Sequence, residues 1–275
     1  MIFRHVEDLD DAYANGPNIP GGDRWPNAWV EPAATFRHSR EQAGQAKIDL
    51  AYGLGERNRL DLFMPENEPA GLVVFVHGGY WSALNKSFWS HLAAGPLAHG
   101  YAVAMPSYTL CPTISIAGIT KEIAAAINHA AELVKGPIRL TGHSAGGHLV
   151  ARMISASSPL PQALQERVVH TVPISGLHDL RPLIRTQMNE TLRLDEAEAA
   201  SESPALLAPI AGARVTCWVG GGERAEFLRQ SELLANVWVG LGAQTAFVAE
   251  PDRHHFTVID GLAVADHPLT KTLLG

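Results

Sequence analysis

Ile138-Arg139-Leu140-Thr141-Gly142-His143-Ser144-Ala145-Gly146-Gly147 is the stretch that decides the fold. Ile138 to Thr141 reads as a strand, and the residues beyond Gly147, to about Ser155, read as a helix. Between them Gly142-His143-Ser144-Ala145-Gly146 fits G-x-S-x-G, a sharp strand-to-helix turn that presents a serine hydroxyl above the end of a sheet. Side chains beside the serine would collide with neighbouring backbone, so glycines flank it. The strand before and the helix after argue against an idle serine in a glycine-rich turn.

One unit upstream, Gly71-Leu72-Val73-Val74-Phe75-Val76 is a continuous apolar run, the pattern of a parallel strand buried on both faces. It leads straight into His77-Gly78-Gly79-Tyr80-Trp81. In a loop so placed, backbone N–H groups point at the oxyanion of a tetrahedral intermediate. Gly79 and Tyr80 are the expected donors, joined by Ala145 just after the serine. Tyr80 and Trp81 are expected to wall an aromatic substrate pocket, with core packing as the alternative role.

A serine hydroxyl is a weak nucleophile, so a base and an orienting carboxylate must be found elsewhere. Of the 13 histidines, His254, His255 and His267 fall late enough in the chain. His255 is preferred over His254 because Phe256 beside it can anchor the loop. The acid is expected after the strand Val215 to Val219, where Gly220-Gly221-Gly222-Glu223 puts Glu223 on a loop. Glu226, at the start of the next helix, competes with it, and Asp252 is a weaker candidate. Residues 220–225 also fit G-x-G-x-x-A, a dinucleotide fingerprint, but too little chain follows to complete a nucleotide-binding half. There is no Walker loop and no H-E-x-x-H, and His143 and His148 diverge around a helix. No cofactor and no metal are therefore expected.

The rest of the chain fits an α/β architecture. Lys47 to Tyr52 and Arg59 to Met64 read as a hairpin about Gly53 and Gly55, and Ala102 to Met105 as another buried strand. Helices are expected over Ser87 to His99, from Ile119 to Val134 and from Ala225 to Val239. Further strands are expected over Val168 to Pro173 and Gln244 to Ala249. This alternation predicts a mainly parallel sheet with helices on both faces. Residues 1–45 carry Pro17, Pro20, Pro26 and Pro32 among Trp25, Trp29 and Phe36. They are expected to wrap on a 46–275 domain, with a short helix around Val6 to Ala14. The stretch 177–210 exceeds a simple crossover and is read as a partial cap.

Composition sets the outer limits. The 275 residues are 46% hydrophobic and 18% charged, enough apolar material for a sizeable core. A net charge of −7 disfavours nucleic acid and anionic membrane as partners. The expected partner is a small-molecule substrate, with a homodimer left open. Asp195, Glu196, Glu198 and Glu202 are read as a solvated helix face. Cys111 and Cys217 are the 2 cysteines and are expected as buried thiols. Met1 to Asp8 shows no basic and apolar leader pattern, and no long apolar run follows. A cytoplasmic protein is the expectation.

With these residues identified, the chain resembles the α/β-hydrolases, and more narrowly the kynurenine formamidase (arylformamidase) group. The narrower resemblance rests on His77-Gly78-Gly79-Tyr80-Trp81, Gly142 through His148, Ser175-Gly176-Leu177-His178-Asp179-Leu180 and Glu226-Phe227 after Glu223. Tyr52-Gly53, Arg59 to Phe63 and Pro65 resemble that group's early strands. The resemblance implies hydrolysis of N-formyl-L-kynurenine to L-kynurenine and formate, with Ser144 as nucleophile, Glu223 as acid and His255 as base. One departure is notable: members of the group often carry Asp where this chain has Glu223. A carboxylesterase for small acyl or aryl esters is the nearest alternative. A non-catalytic ligand-binding protein on the same fold is the alternative of another class.

Overall fold

A computed structural model describes residues 5–275. The first four residues of the expected N-terminal wrap, and of the stretch read for a leader, lie outside the described residues. Strands β1 (Ala46–Ala51), β2 (Arg59–Phe63), β3 (Leu72–Val76), β4 (Ala102–Pro106), β5 (Ile138–His143), β6 (Val168–Ile174), β7 (Arg214–Gly220) and β8 (Gln244–Glu250) form one sheet. Their order is β1-β2-β4-β3-β5-β6-β7-β8. The β1–β2 and β2–β4 pairs are antiparallel, and every pair from β4–β3 onward is parallel.

Two-residue periodicity divides the core between the two faces of this sheet. Leu72, Val74 and Val76 of β3 join one cluster, while Val73 and Phe75 join the other. The first cluster is covered by α4 (Ile116–Leu133), α5 (Ala145–Arg152) and α9 (Ala225–Val239), through residues such as Ile123, Leu149 and Trp238. The second is covered by α2 (Trp25–Gln42), α3 (Ala94–Ala98) and α10 (Pro268–Leu274), through Trp29, Leu97 and Leu273. Short helices α1 (Leu9–Tyr13), α6 (Gln162–Gln165), α7 (Asn189–Leu192) and α8 (Glu196–Ser201) complete the chain. No helix of the described residues is long and apolar enough to cross a membrane.

Three local readings are corrected. Helix α2 runs for 18 residues through a segment read as aperiodic, with Pro26 in its first turn and Pro32 inside it. Only Trp29 and Ala33 are buried along it, so its apolar stripe is too thin to show as a period. Its anchorage is aromatic, since the Trp29 ring lies 5.1 Å from Trp89 and 5.4 Å from Phe256. The helix expected from Ser87 to His99 is instead two 3-10 turns, Lys86–Phe88 and Ser90–Ala93, before the short α3. Pro96 has no N–H to donate into a preceding turn, which confines the α-helix to its neighbourhood. The acidic group is only partly solvated. Glu202 is buried, bridged by Arg152 at 3.0 Å and hydrogen-bonded by Thr120 at 2.6 Å. Asp195 caps α8 by accepting from the Glu198 N–H.

Both cysteines are free and buried. Burial pushes their thiols up, Cys111 to about 11 and Cys217 to about 12, so neither is a reactive thiolate at neutral pH.

Candidate active site

The C-terminal ends of four adjacent parallel strands bring the expected residues together. Register pairs His143 of β5 with Ile174 of β6, Ile174 with Trp218 of β7, and Gly220 with Glu250 of β8. Residues just beyond these positions therefore emerge side by side: Ser144, Ser175, Glu223 and the loop bearing His255. In an open α/β sheet this edge is where ligands bind.

Ser144 sits between β5 and α5 with φ 55° and ψ −116°, a sparsely populated conformation that only a tight setting maintains. The setting is backbone against backbone. A Cβ on Gly146 would lie 1.9 Å from the Val76 carbonyl oxygen, and one on Gly142 would lie 2.5 Å from that of Gly146. The Ser144 N–H continues the sheet by donating to the Ile174 carbonyl at 2.8 Å. Ser144 and His255 are each only 3% exposed.

The expected oxyanion donors remain unspent. Among the described residues, the N–H groups of Gly79, Tyr80 and Ala145 take part in no loop or turn hydrogen bond. Ala145 opens its helix, so its N–H has no partner within it. Gly79, Tyr80 and Trp81 have φ of 113°, 51° and 57°, which turns the loop back on itself. The Tyr80 hydroxyl donates to the Tyr13 carbonyl at 3.0 Å and accepts from the Asn15 side chain, also at 3.0 Å. The N-terminal segment thus fastens the 77–81 loop from outside.

Trp81 lies elsewhere than expected. It is 0% exposed and belongs to the core cluster, with Nε1 donating to His148 Nδ1 at 3.2 Å. The left-handed turn at 80–81 sends this ring inward, so it walls no substrate pocket. Trp81→Phe is then expected to cost about 1–3 kcal/mol of stability through the unpaired His148 nitrogen, with KM for aryl substrates unchanged. Urea unfolding beside steady-state kinetics checks this. A raised KM at unchanged stability would restore the pocket role.

Glu223 and His255, read from the sequence as acid and base, are in hydrogen-bond contact. His255 Nδ1 donates to Glu223 Oε2 at 2.6 Å, which leaves Nε2 as the basic nitrogen. The other oxygen, Oε1, accepts from the Gly220 N–H at 2.8 Å and from Ser175 Oγ at 2.5 Å. Glu226 is engaged differently, holding Arg229 through two hydrogen bonds of 2.8 and 2.7 Å and accepting from the Tyr13 hydroxyl at 2.8 Å. Burial raises its carboxyl, but Arg229 and Tyr13 outweigh that and leave it below the usual carboxylate range. His254 packs edge-on to Trp25 at 5.3 Å, and His267 accepts from the Leu269 N–H at the start of α10. Asp252 lies exposed on a turn.

Two further histidines shape the surroundings. His143 Nε2 donates to the His255 carbonyl at 2.8 Å, and the two rings lie 4.5 Å apart. Burial holds His143 well below its ordinary pKa, so it adds no positive charge beside the His255 ring. His77 stacks on Tyr108 at 4.3 Å, and burial lowers it to about 3. Its Nδ1 lies 2.7 Å from the Gly78 carbonyl, which stiffens the 77–81 loop at its root. Neither role was legible in the sequence beyond the motifs themselves. Among the described residues no His, Cys, Asp and Glu side chains cluster as metal ligands would.

The BD-FAE family model matches residues 60–193. Kynurenine formamidase of Danio rerio is 28% identical over 241 residues, covering 84% of this chain and 81% of its own length. A solved protein from Silicibacter sp., provisionally described as a thioesterase, is 48% identical with a TM-score of 0.93, covering 98% of this chain and 99% of its own. Esterase B of Lactobacillus rhamnosis, solved with a tributyrin phosphonate inhibitor, shares the fold at 17% identity and a TM-score of 0.65, over 91% of each chain.

Proposed function

We propose that this chain, which belongs to the α/β-hydrolase superfamily and is a hydrolase of formamidase or esterase type, works as a serine hydrolase cleaving an aryl formamide. N-formyl-L-kynurenine is the proposed substrate, yielding L-kynurenine and formate. The observation that carries the serine mechanism is the Glu223–His255 contact of 2.6 Å at the strand ends beside Ser144. The formyl specificity is supported by the relation to kynurenine formamidase over most of both chains and by how little of Ser144 is open to solvent.

Ser144 Oγ attacks the formyl carbon while its proton passes to His255 Nε2. The carbonyl oxygen takes up the negative charge, facing the N–H groups of Gly79, Tyr80 and Ala145. Glu223 holds the imidazole tautomer and stabilises the imidazolium. That imidazolium gives its proton to the arylamine nitrogen as the C–N bond breaks, leaving a formyl ester on Ser144. Water, deprotonated by His255, attacks the ester, and formate departs as Ser144 regains its proton.

The reading is tested by acyl length on a common aryl leaving group. The expected kcat/KM falls from formyl to acetyl to butyryl after correction for intrinsic reactivity. A covered nucleophile penalises each added methylene by steric overlap, which can exceed the ~1–3 kcal/mol that a methylene contributes in an apolar pocket. A rise toward butyryl assigns the site to a general esterase, and a preference for thioesters over oxygen esters and formamides assigns it to a thioesterase. Either result leaves the serine mechanism in place.

A further inference from the structure

We infer that Ser175 is a positioning residue for Glu223, and that its hydroxyl is what lets a glutamate serve as the orienting acid here. This rests on the serine-hydrolase reading above. A glutamate has one more rotatable bond than an aspartate, so its carboxylate has more freedom to leave the imidazole. In this chain that freedom is removed at one oxygen. Glu223 Oε1 accepts from Ser175 Oγ at 2.5 Å and from the Gly220 N–H at 2.8 Å, which commits Oε2 to His255 Nδ1 at 2.6 Å.

Ser175 is suited to this and to little else. It is the first residue after β6, fully buried, and its N–H donates to the Trp218 carbonyl at 2.7 Å. That bond ties its backbone to β7, the strand from which the Glu223 loop emerges. Its φ of 51° is left-handed, a conformation that glycine adopts without strain and serine does not. A residue kept there in place of glycine points to a use for its side chain. The bed for the carboxylate is equally specific, because a Cβ on Gly220 would stand 3.1 Å from Glu223 Oε1 and 2.4 Å from the Arg253 carbonyl oxygen.

Ser175→Gly removes the hydroxyl and relaxes the backbone, so the two effects separate. The expected result is a kcat about tenfold lower with KM within about twofold, because a loosened carboxylate misplaces the imidazole, and no fall in Tm. The downfield proton resonance of the His255–Glu223 hydrogen bond is expected to move upfield and broaden, a change that a purely structural role would not produce. Ser175→Ala, which keeps the backbone strain, is expected to show the same kinetic and spectroscopic change. In a Glu223→Asp background the shorter arm no longer reaches Ser175, so adding Ser175→Gly is expected to lower kcat less than about threefold. Wild-type kcat and an unmoved resonance in Ser175→Gly would overturn the inference. So would an equal loss in both backgrounds. Such a result beside an inactive Ser144→Ala removes this inference alone, whereas an active Ser144→Ala removes the serine reading and the inference with it.

Discussion

Ser144→Ala is expected to lower kcat by about four to six orders of magnitude and to leave the fold in place. The alanine keeps the Cβ, and the left-handed turn is held by Gly142, Gly146 and the Val76 carbonyl rather than by the hydroxyl. The residual rate comes from backbone donors that the substitution does not touch. A circular dichroism melt beside single-turnover kinetics checks both halves. Near-normal turnover in the folded variant would exclude Ser144 as the nucleophile.

The second large effect falls on Glu223, the proposed acid. Glu223→Gln is expected to reduce kcat by about three to four orders of magnitude, because an amide can donate to the imidazole and favour the wrong tautomer. Glu226→Gln is expected to change kcat less than about threefold. Its cost is in stability, about 1–2 kcal/mol, through the weakened contact with the partly exposed Arg229. The pH dependence of that loss follows from the lowered Glu226 carboxyl. A depressed carboxylate stabilises the fold above its unfolded pKa, and this contribution fades as pH falls through the folded value. Wild-type and Glu226→Gln stabilities are therefore expected to converge in acid. The opposite kinetic ranking of the two variants would move the acid to Glu226.

Much of the site was legible because its motifs are local. The glycines around Ser144 and the His77–Gly79 turn are required by contacts between backbone segments that any sequence at those turns must satisfy. The alternation of apolar strands with helices follows from burial on both faces of one sheet, so the α/β class could be read from pattern alone. Helix α2 escaped that reading because its attachment depends on a few aromatic contacts rather than a repeating face. Pro32 inside it also reads as a break.

What tertiary structure alone decided are the partnerships between residues far apart in the chain. Glu223 and Glu226 stand three positions apart, yet one faces His255 and the other faces Arg229 and Tyr13. That choice depends on where the β7 loop ends and α9 turns. Trp81 looked like a wall of the pocket because it follows the His77–Tyr80 turn, and a left-handed backbone turned it into the core instead. Glu202 looked like part of a solvated acidic face until Arg152 and Thr120, from other helices, were placed against it. Ser175 had no chemistry assigned to it until sheet register set the end of β6 beside the loop after β7. Sequence specifies a turn through the steric needs of adjacent residues, whereas a hydrogen bond between strand ends is fixed only when the whole sheet sets their register.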